Sequence, residues 1–192
     1  FIYSIADDGV YVDLFAASSI SHNTKAGTIK LDMATQFPYS NDVTLKIGAD
    51  KPHFSKIRIR IPSWASKKMP VKVNGKVFIS GAPGTYITIN RQWKEGDVIS
   101  FSLPASFRMT KYEGSEKEYI GRSAIEYGPV LMAYVNIKGE KENLILQSDR
   151  EKLLKNLTAI PGKPLHYSVK GISDFEIMPY FEVQDEPFTC FP

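Results

Sequence analysis

Alternation of apolar and polar residues runs through the first 110 residues and constrains this chain more than any other feature. Ile29, Leu31 and Met33 alternate with Lys30 and Asp32; Val43, Leu45 and Ile47 with Thr44 and Lys46; Ile57, Ile59 and Ile61 with Arg58 and Arg60. Successive side chains of an extended chain point to opposite faces, so each run reads as a strand with one buried and one wet face. Asn74-Gly75, set between "VKV" and "KVFI", marks a tight hairpin, because a two-residue type I′ turn needs positive φ at both positions. "GTYITI" (84–89), "DVISFSL" (97–103) and Val10 to Phe15 add further strands, and Phe1 to Ile5 reads as a strand entering a turn at Asp7-Asp8-Gly9. Short strands at this spacing predict a sandwich or barrel.

The later sequence changes character. Arg108 to Ser123 is polar and charged and separates the strand ending at Leu103 from a new apolar run, Val130 to Val135. A boundary near residue 108 predicts two β-sandwich-like lobes, residues 1–108 and 109–192, in an all-β chain with one short helix in the second. That helix is expected over Ser148 to Leu157: Ser148 and Glu151 form a capping box, and Leu153, Leu154 and Leu157 supply an apolar stripe, with "IPGKP" (160–164) ending it. An aromatic-rich pair of strands closes the chain, with Pro179 and Pro187 as edge or bend markers.

Composition narrows the class of protein. Apolar residues make up 43% and charged residues 23%, which suits a packed soluble protein, and 10 Tyr and 11 Phe favour strands. The net charge of +3 comes from scattered lysines and gives no electrostatic argument for nucleic acid. No apolar run approaches the roughly 18 residues of a membrane span, so neither nucleic acid nor membrane is an expected partner. The chain begins on a strand and without Met, and it is expected to be a segment of a longer protein. Cys190 stands alone, which permits no internal disulfide, and Asn156-Leu157-Thr158 fits the glycosylation pattern.

Candidate chemistry is sparse. His22, His53 and His166 are widely separated and belong to no paired motif, so no metal site, Ser-His-Asp arrangement or Cys-His arrangement is expected. Glycosidase chemistry needs two facing carboxyl groups. The candidates are Asp7, Asp8, Glu126, Glu176, Glu182, Asp185 and Glu186. Asp7 and Asp8 read as turn residues, Glu182, Asp185 and Glu186 as solvated side chains, and Glu126, just before a Gly-Pro turn, as buried or paired. "GAPG" (81–84) lacks the Lys-Ser/Thr of a phosphate loop. Arg58 and Arg60 are expected on a wet strand face. Trp64, Trp93, Tyr39 and Tyr86 are the candidate carbohydrate contacts, since flat rings on a sandwich can stack on sugars. The competing expectation is that Trp64 closes the end of a core and Trp93 packs beside the turn before Gly96-Asp97, because large aromatics are mostly buried.

An ordered set of motifs then gives a resemblance: "GVYVDLFAAS" (9–18), "TQFPYSNDVTLKI" (35–47), "IRIRIPSW" (57–64), "VKVNG" (71–75), "GTYITINRQWKEGDVISFSLP" (84–104), "GRSAIEYGPVLMAY" (121–134) and "LTAIPGKPLHY" (157–167) through "IMPYFEVQDEPFTCF" (177–191). In this order they resemble the β-L-arabinofuranosidase-like glycoside hydrolases, family 127 and its relatives, over essentially the whole chain. The resemblance implies an α/α-barrel, absent here, that carries a cysteine nucleophile held with glutamate and further cysteines around zinc. None of those positions occurs in this sequence, so no catalytic residue carries over, and Cys190 is not the nucleophile. The implied role is the noncatalytic C-terminal β-sandwich portion of a bacterial glycoside hydrolase, with no cofactor in this chain. Its implied partners are the catalytic barrel of the same parent chain and plant-type glycans, in a periplasmic or extracellular rather than cytoplasmic parent. The alternative is a carbohydrate-binding module built on Trp64, Trp93, Tyr39 and Tyr86.

Overall fold

A computed structural model describes residues 1–136, 150–170 and 172–191. The chain divides into two units, Phe1–Ala105 and Ser106–Pro192. Residue 108 lies inside a strand, Phe107–Lys111, and the divide falls just before it.

In the first unit, β1 (Tyr3–Ala6), β2 (Gly9–Val12), β6 (His53–Arg60) and β9 (Tyr86–Trp93) form a four-stranded sheet in the order β1-β2-β6-β9. A six-stranded sheet runs β3 (Ser18–Thr24), β4 (Gly27–Thr35), β5 (Asp42–Ala49), β10 (Val98–Ser102), β7 (Met69–Val73), β8 (Lys76–Gly81). The alternation explains why these sheets face each other. Ile57 and Ile59 from one and Ile29, Leu31, Val43, Leu45, Val71 and Ile99 from the other are buried in one shared core, while the intervening polar residues point outward. β-branched side chains suit such a pleated, half-buried surface.

β2 pairs with β6 in parallel, from Gly9↔Lys56 to Val12↔Ile59, so the chain leaves this sheet for β3, β4 and β5 of the other sheet before returning. A parallel pair requires such a crossover. The β7–β8 hairpin turns at Asn74 (φ 50°) and Gly75 (φ 79°), as the Asn-Gly signal predicts. Its turn is tied to β10: Asn74 Oδ1 accepts from Val98 N at 2.9 Å, and Asn74 Nδ2 donates to the buried Asp97 carboxylate at 2.9 Å.

The second unit is a seven-stranded sheet. β11 (Phe107–Lys111), β12 (Ser123–Tyr127), β13 (Val130–Val135), β16 (Ile172–Pro179), β15 (Tyr167–Val169) and β14 (Leu157–Ala159) follow one another in that order, and β17 (Phe188–Thr189) pairs β13. β13 is buried on both faces. Val130, Met132 and Tyr134 join a core with Ile125, Leu153, Val169 and Ile177, whereas Ala133 and Val135 pack with Met178 on the other side. Thus a continuous apolar run marks a central strand.

The all-β reading holds, and among the described residues there is one short α-helix. That helix, α1, spans Arg150–Lys155, and Leu153 anchors it in the core. Leu157 belongs instead to β14, where it pairs with Val169, so the expected apolar stripe is split between a helix and a strand. Ser148 and the Glu151 side chain, the two halves of the expected capping box, lie outside the described residues. The polar stretch from Arg108 to Ser123 takes in most of β11, the β11–β12 connection with a short 3-10 turn at Lys117–Tyr119, and the first residue of β12.

Candidate functional site

The outer face of the four-stranded sheet carries a network of polar groups. Alternation along β6 sends Lys56, Arg58 and Arg60 to this face while Ile57 and Ile59 enter the core. Asp8, in the turn before β2, accepts from Lys56 Nζ at 2.7 Å and Arg58 Nη2 at 2.8 Å. These hydrogen bonds, that from Arg58 foremost, hold the Asp8 carboxyl well below the usual carboxylate range. Tyr11 stands opposite Arg58 in the β2–β6 register, and the guanidinium lies 4.6 Å from its ring centroid.

Tyr86 on β9 completes the face. Its ring meets Tyr11 edge-on at 5.5 Å, and its hydroxyl donates to Asp13 Oδ1 at 2.6 Å, while Asp13 Oδ2 accepts from Ser4 Oγ at 2.5 Å. The bond to Asp13 raises the Tyr86 pKa, because ionising the phenol would place two negative charges together. Contrary to the expectation of a wet face, the Arg58 side chain is only 13% exposed, closed in by Asp8 and Tyr11. Both aspartates are engaged as acceptors, so this face is built to knit β1, β2, β6 and β9 together.

The six-stranded sheet has a different exposed feature. β8 is its edge strand, and three consecutive apolar side chains there face solvent: Val77 is 62% exposed, Phe78 50% and Ile79 39%. The β7–β8 pairing shifts register between Val71 and Lys72, which carries the edge strand away from regular alternation. Farther across, a groove of about 690 Å³ crosses the outer face, where Thr44, Ser100 and Lys72 stand in register on three neighbouring strands. A hollow of about 580 Å³ opens at the other end of the unit, between the β1–β2 turn, the β3–β4 hairpin and the start of β6.

The four aromatic candidates fall into separate environments. Trp93 is fully buried; its Nε1 donates to Ser55 O at 3.0 Å, and the Arg91 guanidinium lies 5.0 Å from its ring. Trp93 therefore presents no free face for a sugar, a correction that follows from its inward position on β9. Trp64 is half-buried against the core and stacks on Phe37, with centroids 5.9 Å apart and planes at 3°. Tyr39 and Tyr86 are exposed, Tyr39 in the turn closed by its own N–H to Gln36 O at 2.9 Å and Tyr86 against Tyr11.

In the second unit, residues distant in sequence converge on His166. Its Nδ1 meets Glu176 Oε1, its Nε2 lies 2.9 Å from Glu182 Oε2, and Lys163 Nζ is 3.3 Å from Glu176 Oε2. Burial alone would lower the His166 pKa, but hydrogen bonds to Glu182 and Glu176, and their charges, raise it on balance. Glu182 is thus a partner of His166 rather than a free solvated side chain. Glu126, expected buried or paired, bonds Arg108 Nη2 at 2.5 Å and accepts from Thr110 Oγ1 at 2.7 Å. Cys190 packs beside Val135 and Met178, and burial pushes its thiol up to about 11, which keeps it protonated at neutral pH. Among the described residues no three His, Cys, Asp or Glu side chains are grouped to hold a metal.

The His166 cluster has a pH consequence of definite sign. A raised folded-state pKa means that the cluster's contribution to stability is fully present below the unfolded histidine value of about 6.5 and is lost as pH rises through the folded value. Thermal unfolding of the second unit, followed across pH 5.5 to 9, is expected to show falling stability on the alkaline side. His166→Gln should flatten that slope; an unchanged slope would remove the cluster as its origin.

Comparison with known proteins places the chain. A family model described as the middle domain of GH127 β-L-arabinofuranosidases matches residues 9–105, which is more than half of the 192 residues. The chain belongs to the GH127 β-L-arabinofuranosidase family. Among curated proteins none matches it. A solved glycoside hydrolase aligns with 98% of the chain at a TM-score of 0.70 and 19% identity, and the chain covers 36% of that protein. A GH127 β-L-arabinofuranosidase from Geobacillus stearothermophilus aligns with all of it at a TM-score of 0.70 and 17% identity, with 34% of that chain covered. A GH127 β-arabinofuranosidase aligns with 70% of the chain at 0.60 and 26% identity, with 24% covered. The chain therefore spans about a third or less of the length of these relatives.

The GH127 match covers β2 to β10, that is, the Asp8–Arg58–Tyr11 face from Gly9 onward, the exposed β8 edge and most of the hollow. One feature of this GH127 middle domain escapes sequence reasoning, and another was readable in it. The partners of Arg58 and Tyr86 lie 50 and 73 residues away, and no spacing rule joins them. The exposure of Val77, Phe78 and Ile79 was open to detection, since three consecutive apolar residues break the alternation of a strand with one wet face.

Proposed function

We propose that this chain is the noncatalytic β-sandwich portion of a bacterial glycoside hydrolase of the β-L-arabinofuranosidase type, and that it packs against and supports a catalytic barrel carried by the same parent chain. The observation that carries the reading is the β8 edge. An edge strand offers unpaired backbone groups, and soluble proteins protect such edges with charge, proline or a covering element. Here the edge carries Val77, Phe78 and Ile79 in a row, a surface suited to burial against another part of a protein. The GH127 membership, and relatives about three times as long, supply an occupant for it: the remainder of the parent chain.

Two measurements test the proposal. The chain alone is expected to hydrolyse no aryl β-L-arabinofuranoside; turnover that survives repurification would overturn the noncatalytic role. In the longer parent, Phe78→Asp together with Val77→Asp should loosen the junction between the sandwich and the barrel, read as faster proteolytic separation of the two. Unchanged separation would show that β8 is not the docking edge.

A further inference from the structure

We infer that the groove across the outer face of the six-stranded sheet binds an acidic glycan, a saccharide chain that carries carboxylates. The choice of a saccharide rests on the glycosidase reading above; the choice of an acidic one rests on the groove itself. Alternation decides which side chains a ligand can reach. Val43 on β5, Phe101 on β10 and Val71 on β7 enter the core, so Thr44, Ser100, Ser102 and Lys72 stand on the groove side. Ser100 lies opposite Thr44 on one neighbour and Lys72 on the other, a transverse row of two hydroxyls and an ammonium. Short serine and threonine side chains keep this floor low, and longer lysines rise at its side. The loop before β7 forms a wall: Ser66 N and Oγ both donate to Pro104 O at 2.8 Å, and Met69 is fully buried. Lys67 and Lys68 therefore reach the groove from a backbone anchored at both ends, which limits the ordering cost of binding.

Charge selects the ligand. Among the described residues the lining sets Lys67, Lys68 and Lys72 against one carboxylate, Asp42, and none of the three lysines is in an ion pair. Other cations on the outer faces of this unit are neutralised, Lys30 by Asp32 at 3.0 Å and Lys56 and Arg58 by Asp8. A concave surface with uncompensated positive charge draws anions. A nucleic-acid strand is anionic too, but its bases need an aromatic ring to stack on. The one aromatic residue in this lining, Phe101, is 5% exposed and turned to the core. The floor offers hydroxyls instead, and sugar hydroxyls, which both donate and accept, pair with them in either sense. The volume of about 690 Å³ lies within the roughly 300–1,000 Å³ of small-molecule sites, enough for a short stretch of glycan. No residue of β8 takes part, so the assignment does not depend on that edge.

The test is an amide NMR titration of the whole 192-residue chain with a short oligogalacturonate, set against its fully methyl-esterified form and against inorganic phosphate. Saturable shifts at Thr44, Ser100, Ser102 and Lys72 are expected with the acid, and affinity should fall as salt is raised. The ester should bind about tenfold more weakly or worse, and phosphate should not saturate over the same range. Lys72→Gln should weaken binding by about fivefold, and the combined Lys67→Gln, Lys68→Gln, Lys72→Gln variant should abolish it. All three are exposed side chains whose replacement leaves the core intact. Lys25→Gln, at a lysine outside the groove, should leave binding unchanged. Absence of saturable shifts in the groove, equal affinity for the ester or for phosphate, tighter binding of a single-stranded oligonucleotide at the same residues, or an unaltered affinity in the triple variant would each overturn the assignment. None of these readouts involves hydrolysis or the junction with a barrel, so failure here is distinct from failure of the proposed function.

Discussion

Gly9→Ala is expected to destabilise the first unit by about 4 kcal/mol or more, at the extreme end of single-substitution effects. Gly9 has φ +154°, and a Cβ built on it would lie 1.8 Å from Lys56 O and 2.7 Å from Lys56 C, both backbone atoms of β6. No rotamer change relieves a clash with backbone. The strands would have to separate at the first pair of the β2–β6 ladder, where Lys56 N also donates to Asp8 O at 2.9 Å. Separation would draw Val10 and Val12, both fully buried, away from the core and would loosen the Asp8 clamp on Lys56 and Arg58. Urea unfolding gives the readout. A Gly9→Ala protein within about 1 kcal/mol of the parent would mean that β2 slides without loss, contradicting the tight packing argued here.

Trp93→Ala should cost about 3–5 kcal/mol, the range for truncating a large buried aromatic. The indole is fully buried at the end of β9 and donates to Ser55 O, so the substitution leaves a cavity and deprives that carbonyl of a donor. Trp93→Phe restores much of the volume without the donor and should fall between the parent and Trp93→Ala. Fluorescence separates the two tryptophans: Trp93 should emit at short wavelength and resist iodide, whereas half-buried Trp64 should be partly quenched. Ready quenching of both would contradict the packing of Trp93. A loss of only about 1 kcal/mol in Trp93→Ala would indicate that the site collapses around the missing ring.

Much of this fold was legible because its signals are local. The alternation in β4, β5, β6 and β10 assigns each side chain to core or surface without reference to any other strand, and Asn74-Gly75 specifies its own turn. Pairing is a different matter. Nothing in the sequence of β2 announces a parallel partner whose first paired residue is Lys56, because backbone hydrogen bonds carry no residue code. The division of Leu153 and Leu157 between a helix and a strand was hidden for a related reason, since short apolar runs fit either period. The resemblance identified the family, yet the groove escaped it: Thr44, Ser100 and Lys72 read individually as ordinary wet-face strand residues, and only the fold brings them to one lining.

The crossing of β3, β4 and β5 between β2 and β6 also sets an order of events. β3, β4 and β5 are successive antiparallel neighbours and can zip by short-range contacts, whereas β2 must remain without β6 until the chain has been made at least to Arg60. Loop closure over such a span is slow relative to hairpin formation. During synthesis the opening strands are therefore an early-made segment with a late-made partner. Chaperone demand and aggregation during expression should concentrate in that interval, and slowing translation ahead of residue 53 would lengthen it.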